Sequence, residues 1–264
     1  MILDDLKNAT QRRVEEQKKR VSPRELQRRI EQLPKASLRK NFLFEETVKT
    51  PGLHYICEVK KASPSKGVIA EDFPYMEIAR EYEEAGASAI SVLTEPEYFK
   101  GELRYLEEIR HEVRIPILRK DFTCDEYMIQ EAKLCGADCV LLIAAMLTEK
   151  EMRRFREKAD ELGLSSLFEA HDAEEVKACL NAGARIVGVN NRNLKTFEVD
   201  IECCAKLRAL VPPEVVFVAE SGIKTAEEIK RLKEIGANAC LVGETLMRAP
   251  DKKAKLLELD GRRH

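Results

Sequence analysis

The stretch Gly136-Ala137-Asp138-Cys139-Val140-Leu141-Leu142-Ile143 carries the pattern that decides the fold of this 264-residue chain. A glycine-alanine pair follows a charged segment and leads into an apolar run, and the pattern recurs at Gly86-Ala87, Gly183-Ala184 and Gly236-Ala237. Glycine suits the left-handed residue that ends many helices, so each pair predicts a helix end followed by a strand. The four glycines are 50, 47 and 53 residues apart, a spacing that accommodates two strand-helix units.

Four more apolar runs lie between these segments, at Tyr55–Lys60, Ile115–Lys120, Ser166–Glu169 and Val215–Ala219. Eight strands that alternate with helices predict a parallel sheet covered by helices. Eight units favour a closed barrel, because a doubly wound sheet usually has fewer. We therefore expect an α/β protein of the (β/α)8, or TIM, barrel type.

Several helices of the predicted barrel begin with a capping box, in which a hydroxyl and a carboxylate three residues later bind free N–H groups. Thr123/Glu126, Thr148/Glu151 and Thr225/Glu228 fit this pattern, and Asp172/Glu175 is a looser version.

Residues 1–50 differ from the rest, because charge is dense there and apolar residues are sparse. Ser22-Pro23 predicts one helix before it and one after it. We expect residues 1–50 to form a helical extension that packs on a barrel of residues 51–264, within a single domain. The extension would consist of solvated helices with a thin buried stripe, or it would cover one end of the barrel.

Composition argues against two classes of partner. The chain has 45 basic and 47 acidic residues and a net charge of −2, which gives no basic surface for nucleic acid. The longest apolar run, which comprises Cys139–Met146 and Leu147, is far shorter than a membrane span. Charged residues interrupt Met1–Ala9, so no secretion signal is expected, and we predict a cytoplasmic protein.

The eight cysteines are expected to be free, reduced thiols. No C-x-x-C spacing occurs, and Cys57, Cys139 and Cys240 lie in apolar runs where cysteine packs as a small hydrophobe. A metal site or a redox role remains the alternative.

Polar side chains gather at the predicted strand ends, where barrel enzymes carry their chemistry. Residues two apart in a strand share a face, so one face at this end would carry Glu58, Lys60, Lys120, Glu169, Asn190, Arg192 and Glu220. These lysines and carboxylates could shift each other's pKa values and supply an acid and a base. Lys61, Arg119 and Asp121 should point the other way and pair with helices.

A phosphate site is predicted after the last two strands. Ser221-Gly222 and Gly243 end these strands, and helices follow soon after each. Glycine lets backbone N–H groups approach an anion, and barrels often bind phosphate with these loops. The alternative is that the glycines only permit tight turns. The polar segment Ser63–Gly67 is long enough to fold over a bound ligand.

Read together, these stretches resemble the indole-3-glycerol phosphate synthase family from about residue 2 to residue 257. The motifs E-x-K-x-x-S-P-S, K-D-F and A-E-S-G-I occur in this order. The matching stretches are Glu58–Ser65, Leu93–Gly101, Leu118–Phe122, Val140–Ile143, Phe168–His171, Gly188–Leu194, Val218–Ile223 and Leu241–Glu244.

The resemblance implies an enzyme of tryptophan biosynthesis, a carboxy-lyase (EC 4.1.1.48). Its reaction closes the ring of 1-(2-carboxyphenylamino)-1-deoxyribulose 5-phosphate to indole-3-glycerol phosphate, with loss of CO2 and water. It implies a small phosphorylated substrate and neither a metal nor an organic cofactor. We expect a monomer or weak homodimer, although the sequence does not decide the oligomeric state.

The resemblance also implies roles for residues. Lys120 would be the general acid on the ribulose carbonyl, and Glu169 the partner acid/base for dehydration. The other residues fall into four groups by role: Glu58 and Asn190 for orientation; Lys60, Arg192, Glu220 and Ser221 on the substrate; Ser63, Gly222, Leu241, Gly243 and Glu244 at the phosphate; and Phe99, Phe122, Leu141 and Ile143 in an apolar slot for the anthranilate ring.

The sequence leaves four points open. The sequence does not decide which cation meets the carboxylate of the substrate and which meets the phosphate. Glu244 stands where the family also accepts a small hydroxyl residue, so its backbone N–H is expected to face the phosphate. His171 is a second candidate base, and the pKa of Lys120 depends on cations and carboxylates that act in opposite directions.

Two other functions compete with this interpretation. Phosphoribosylanthranilate isomerase, another phosphate-binding barrel, would lack the N-terminal extension and the lysine that ends the third strand. A barrel that binds a sugar phosphate without turnover is the non-enzyme alternative.

Overall fold

The computed structural model describes residues 2–34, 39–192 and 202–261, and eight of its strands form a closed parallel barrel. The barrel strands are β1 (His54–Val59), β4 (Ala89–Leu93), β5 (Ile117–Lys120), β6 (Cys139–Ile143), β7 (Ser165–Ala170), β8 (Ile186–Asn190), β9 (Val216–Glu220) and β10 (Ala239–Val242). Each pairs with the next, and β10 closes on β1. Two short strands after β1, β2 (Ala62–Ser63) and β3 (Gly67–Val68), form an antiparallel hairpin. The predicted barrel is confirmed.

Helices precede the barrel and alternate with its strands. Three helices come before β1: α1 (Ile2–Arg20), α2 (Pro23–Glu31) and α3 (Leu43–Val48). The later helices are α4 (Tyr75–Glu84), α5 (Leu103–Glu112), α6 (Glu126–Leu134), α7 (Glu149–Glu161), α8 (Ala173–Asn181), α9 (Glu202–Arg208), α10 (Ala226–Glu234), α11 (Glu244–Met247) and α12 (Lys252–Leu259).

The four glycines of the repeat all have the predicted left-handed conformation. Their φ angles are 92° at Gly86, 84° at Gly136, 85° at Gly183 and 75° at Gly236. Each glycine follows a helix and precedes a barrel strand. The pattern that predicted the fold therefore marks the point where each of these helices turns back into the barrel.

Three of the four predicted helix starts are confirmed and one is wrong. Thr148 and Thr225 form complete capping boxes, and Asp172 accepts the N–H of Glu175. The box at Thr123/Glu126 does not form, because α6 begins at Glu126 and Asp125 is its N-cap. The Asp125 carboxylate accepts the N–H of Tyr127, and an aspartate caps as well as a threonine does.

The core lies inside the barrel and between its wall and the surrounding helices. Leu118 and Leu167 are fully buried two residues before Lys120 and Glu169. Because alternate residues of a strand share a face, these leucines lie beneath the charged residues. The charged layer therefore rests on a packed apolar layer.

The first two helices lie at the C-terminal end of the barrel. Lys7 donates to the carbonyl of Met146, and Arg13 contacts Asp121 at 2.8 Å. Val14 and Leu26 pack against side chains of α6. Ser22 caps α2 as predicted, with Pro23 as its first residue.

The third helix lies at the opposite end. The N–H of Glu45 donates to Oγ of Ser165, the first residue of β7, and Arg39 contacts Asp138, which precedes β6. Phe44 and Val48 are fully buried. The segment before β1 thus contacts both ends of the barrel, and the predicted division at residues 50 and 51 remains a prediction.

All eight cysteines are free thiols, and Cys57, Cys139, Cys179, Cys204 and Cys240 are buried. Burial raises the pKa of the Cys57 thiol. Within the described ranges, helices long and apolar enough to cross a membrane are absent. The cytoplasmic location remains a prediction.

Replacement of Phe44 by alanine should lower the free energy of unfolding by about 3–5 kcal/mol, because it leaves a cavity beneath the barrel. Equilibrium unfolding in urea measures the change. Glu46→Ala, which alters an exposed residue of the same helix, is the matched control. A loss below about 1 kcal/mol for Phe44→Ala would mean that α3 is not part of the core.

Candidate active site

A cavity of about 740 Å³ opens at the C-terminal ends of the barrel strands. All eight barrel strands contribute at least one residue to its wall. Every site residue predicted from the sequence lines it: Glu58, Lys60, Ser63, Phe99, Lys120, Phe122, Leu141, Ile143, Glu169, Asn190, Arg192, Glu220, Ser221, Gly222, Leu241, Gly243 and Glu244. The alternation of side chains along the strands brings the strand residues of this set together, and the segments that follow the strands supply the others.

Lys120 lies between two buried carboxylates. Its Nζ is 2.8 Å from Oε2 of Glu169 and 2.6 Å from Oε2 of Glu220. Glu169 is 4% exposed and Glu220 is 1% exposed. Asn190 donates its side-chain N–H to the other oxygen of Glu169 at 3.1 Å. One ammonium group therefore joins the ends of β5, β7 and β9.

A second ion pair lies at the end of β1. Lys60 Nζ is 2.5 Å from Oε1 of Glu58. Gly243 faces this pair, and a Cβ at that position would collide with the Glu58 carboxylate. Because glycine has no side chain, Gly243 leaves room for the Glu58–Lys60 ion pair beside the predicted phosphate loop.

A further glycine makes room for Glu220. Gly188 lies in β8, and a Cβ there would collide with Oε1 of Glu220. Ser221, the next residue, has a φ of 68°, in the left-handed region that is unusual for a residue with a side chain. Its carbonyl accepts a hydrogen bond from Asn191. Such conformations persist where surrounding contacts hold them, often at functional sites.

Burial and neighbouring charges shift the pKa values of Lys120, Glu169 and Glu220 in different directions. Burial alone lowers the pKa of Lys120, but the carboxylates of Glu169 and Glu220 outweigh it and raise this pKa above the usual lysine value. Burial favours neutral Glu169, but Lys120 and His171 hold its pKa below the usual range. Burial raises the pKa of Glu220 to about 7, although Lys120 opposes the increase. The carboxylates therefore decide the charge state of Lys120.

His171 contacts Glu169 and does not line the cavity. It follows the last residue of β7, and its Nε2 is 3.5 Å from Oε1 of Glu169. Its Nδ1 is 3.0 Å from Glu175. Burial lowers the pKa of His171, but these two carboxylates outweigh it and raise the pKa to about 10. A protonated histidine between two carboxylates is a poor general base, so the geometry favours Glu169 for that role.

The apolar part of the cavity contains the four predicted slot residues. The rings of Phe99 and Phe122 are 5.9 Å apart and tilted by 43°. Leu3 and Leu6 of α1 also line the cavity. The sequence analysis missed these two leucines, although their spacing of three residues places them on one face of a helix.

The predicted phosphate end contains more cations than the sequence suggested. Lys66, Lys224, Arg248 and Lys255 line the cavity there. Arg248 Nε is 3.0 Å from Glu244, and Lys66 Nζ is 3.9 Å from it. Arg248 lies one helical turn after Glu244, a spacing that could have identified it. No local sequence pattern predicted that Lys255 lines the cavity, because only the tertiary fold brings α12 to it.

The prediction that Arg119 and Asp121 point away from the cavity and pair with helices is correct for Arg119 and only partly correct for Asp121. Arg119 pairs with Glu131 of α6 at 2.8 Å and with Asp121 at 3.1 Å. Asp121 also pairs with Arg13, yet it lines the cavity as well, because α1 runs along the rim. Lys61 lies outside the cavity lining.

Across residues 2–34, 39–192 and 202–261, histidine, cysteine, aspartate and glutamate side chains form no group of three or more that could hold a metal ion.

The raised pKa of Glu220 predicts a pH-dependent stability. A carboxyl group with a pKa near 4.5 in the unfolded chain and about 7 in the folded protein binds its proton more tightly when folded. Its contribution to stability is therefore full below about pH 4.5 and falls as the pH rises to about 7. Relative to Glu220→Gln, the wild-type protein should lose stability between about pH 5 and about pH 8.

Urea unfolding of both proteins at the two pH values tests this expectation. Glu81→Gln, at an exposed position of α4, is the control and should follow the wild-type pH dependence. If wild type and Glu220→Gln show parallel pH profiles, the pKa of Glu220 is not raised.

Comparison with known proteins identifies the family of the chain. The chain matches the family model for indole-3-glycerol phosphate synthase over residues 3–259. It is 56% identical over 261 residues to an indole-3-glycerol phosphate synthase from Ruminiclostridium cellulolyticum, with 99% of both chains covered. It is 51% identical over 267 residues to one from Lachnoclostridium phytofermentans, with 98% of both chains covered.

Structural comparison supports the fold alone. The 3-hexulose-6-phosphate synthase of Salmonella typhimurium has a TM-score of 0.65 at 14% identity, with 79% of this chain and 97% of that chain covered. The family match, by contrast, extends over the N-terminal helices and the barrel and decides between the enzymes considered from the sequence. The chain belongs to the indole-3-glycerol phosphate synthase family, the carboxy-lyases (EC 4.1.1.48) that form indole-3-glycerol phosphate in tryptophan biosynthesis.

Proposed function

We propose that Lys120 and Glu169 carry out the proton transfers by which this chain converts 1-(2-carboxyphenylamino)-1-deoxyribulose 5-phosphate to indole-3-glycerol phosphate. The observation that carries the proposal is the position of Lys120, whose Nζ bonds two buried carboxylates inside the cavity. A charged ammonium at this place can donate to a carbonyl oxygen of a bound substrate.

Ring closure is the first step. The ring carbon that bears the carboxylate attacks the ribulose carbonyl, a C–C bond forms, and the π electrons of the carbonyl move to its oxygen. Lys120 donates a proton to that oxygen. The raised pKa keeps Lys120 charged in the free enzyme, and an alkoxide is a stronger base than an amine, so transfer becomes favourable as the bond forms.

Loss of CO2 then returns the electrons of the C–C bond to the ring and restores its aromaticity. Loss of water requires a proton on the departing hydroxyl. Glu169 is ionised in the free enzyme because Lys120 and His171 lower its pKa. As the C–O bond breaks, the CH2 group beside the ring nitrogen loses a proton and the C=C bond of the indole forms. Glu169 can accept that proton and return it to the departing hydroxyl, which leaves as water.

The two ends of the cavity fit the two ends of the substrate. We assign the anthranilate ring to the apolar slot whose wall includes Phe99 and Phe122, two rings that pack against each other with their centroids 5.9 Å apart. We assign the phosphate to the opposite end, at Gly222 and Gly243 with the surrounding cations. Glu58 and Asn190 would hold Lys60 and Glu169 in place through the bonds described above.

The remaining predicted residues have supporting roles in this arrangement. Ser63, Leu241 and Glu244 would complete the phosphate end, and Leu141 and Ile143 the slot. Arg192 and Ser221 would contact the substrate between the two ends. We also propose a monomer or weak homodimer as the active form, since the groups named above can complete the site within one chain.

Lys120→Met should remove nearly all turnover. Methionine keeps an unbranched side chain but has no proton to donate, and a positioned general acid contributes about 10²-fold or more. Affinity for a reduced, non-cyclising substrate analogue should stay within about tenfold, a difference of about 1.4 kcal/mol. The appearance of indole fluorescence measures kcat.

Lys61→Met is the matched control, because Lys61 lies outside the cavity lining, and it should keep a near wild-type kcat. A Lys120→Met protein with more than about a tenth of the wild-type kcat would remove Lys120 from the role of general acid.

Gly243→Asp should weaken phosphate binding, because it adds a side chain and a negative charge at the proposed anion site. The new side chain must also displace Glu58, so kcat alone is not informative. The inhibition constant of inorganic phosphate should rise, whereas that of 2-(methylamino)benzoate, a probe of the slot, should change little. An unchanged constant for inorganic phosphate would mean that the phosphate binds elsewhere.

A further inference from the structure

Glu95 is a buried carboxylate to which the proposed reaction gives no role. It is 2% exposed, and it lies two residues after the end of β4, in the loop that leads to Phe99. In the described part of the chain, lysine, arginine and histidine side chains form no ion pair with it. A buried carboxylate without a cation is costly unless hydrogen bonds satisfy it.

Backbone N–H groups of its own loop supply those bonds. Glu97 donates to Oε1 of Glu95 at 2.8 Å, while Tyr98 and Phe99 donate to Oε2 at 2.8 and 3.0 Å. The N–H of Gly101 donates to the backbone carbonyl of Glu95 at 2.8 Å. The side chain of Glu95 therefore acts as the centre around which residues 97–101 turn.

The loop is also fixed to the barrel on either side of this centre. Thr94 donates its N–H to the carbonyl of Lys120 and its hydroxyl to Asp121. Gly101 packs so closely on the carbonyl of Leu93 that a Cβ there would collide with it. With both ends of the loop held in this way, the carboxylate of Glu95 sets the path of the chain between them.

We propose that Glu95 is a positioning residue for the anthranilate slot, and that it holds Phe99 in place against Phe122 in the wall of that slot. The inference rests on the proposed function, in which these two rings contact the anthranilate. Glu95 does not touch the substrate and does not line the cavity. It acts through the N–H of Phe99, so its replacement should weaken the binding of the anthranilate end of the substrate only.

Glu95→Gln tests this inference with little change in size. The amide has one acceptor oxygen and one NH2 group, which cannot accept a hydrogen bond. At least one backbone N–H of the loop then loses its partner, and the loop must move. Glu97→Gln is the matched control, because Glu97 is an exposed neighbour whose N–H, not its side chain, bonds to Glu95. Phe99→Leu tests the slot itself.

The readout is the inhibition constant of two probes that bind at opposite ends, 2-(methylamino)benzoate for the slot and inorganic phosphate for the other end. In Glu95→Gln the constant for the benzoate should rise about tenfold, because a displaced Phe99 loses its contact with the probe, whereas the constant for phosphate should stay within about twofold. The KM for the substrate should rise more than kcat falls. Glu97→Gln should change none of these values, and Phe99→Leu should also weaken the benzoate.

The other possible results contradict either the role of Glu95 or the proposed slot. If Phe99→Leu weakens the benzoate and Glu95→Gln does not, the inference about Glu95 is wrong and the proposed slot stands. If Phe99→Leu leaves the benzoate unchanged, the proposed slot is wrong and the inference falls with it. If Glu95→Gln weakens both probes equally, Glu95 has only a general structural role.

Glu95→Asp provides a second variant if Glu95→Gln does not fold. Aspartate keeps the charge and both acceptor oxygens on a stem that is shorter by one methylene group. The same selective loss of benzoate affinity is expected, and an equal effect on both probes, or no effect on the benzoate, overturns the inference.

Discussion

The site depends on one ammonium group that two buried carboxylates share. Lys120 lies 2.8 Å from Glu169 and 2.6 Å from Glu220, and the three residues come from β5, β7 and β9. A buried charge that loses its partner costs several kcal/mol. Side chains from alternate strands of a barrel share a layer, so the cluster forms only when the barrel closes in the observed register. The arrangement that supports chemistry is therefore tied to the closure of the fold.

Much of the fold and the lining of the site could be predicted because both follow from short-range rules. A glycine at a helix end and a two-residue alternation along a strand are local properties, and they sufficed to place residues as distant in sequence as Glu58 and Gly243 in one cavity. The N-cap of α6, Asp125, was missed because a second capping candidate, Thr123, lies two positions before it. The pKa of Lys120 could not be predicted, since it depends on distances to charges on other strands.

The N-terminal segment shows a second limit of what the sequence can predict. Its sparse apolar residues predicted helices with a thin buried stripe, but periodicity identifies a face and not the surface that the face meets. Leu3 and Leu6 lie on the wall of the cavity, whereas Phe44 lies beneath the barrel at the other end. A truncation that removes all residues before β1 would therefore disturb the core together with the site. The roles of α1 and α3 must be separated by point substitutions.

Glu95 and Glu220 are both buried carboxylates, but they differ in the hydrogen-bond donors that they meet. Glu95 accepts three backbone N–H groups, which hold its charge in place and fix a loop. Glu220 accepts from Lys120, but its Oε1 has no hydrogen-bond partner in the part of the chain that the structure describes, and its pKa rises to about 7. Gly188 leaves room for that oxygen without supplying a side-chain donor. With a pKa near neutral pH, Glu220 can gain or lose a proton without a change in the backbone around it. Glu220 lines the cavity, whereas Glu95 does not.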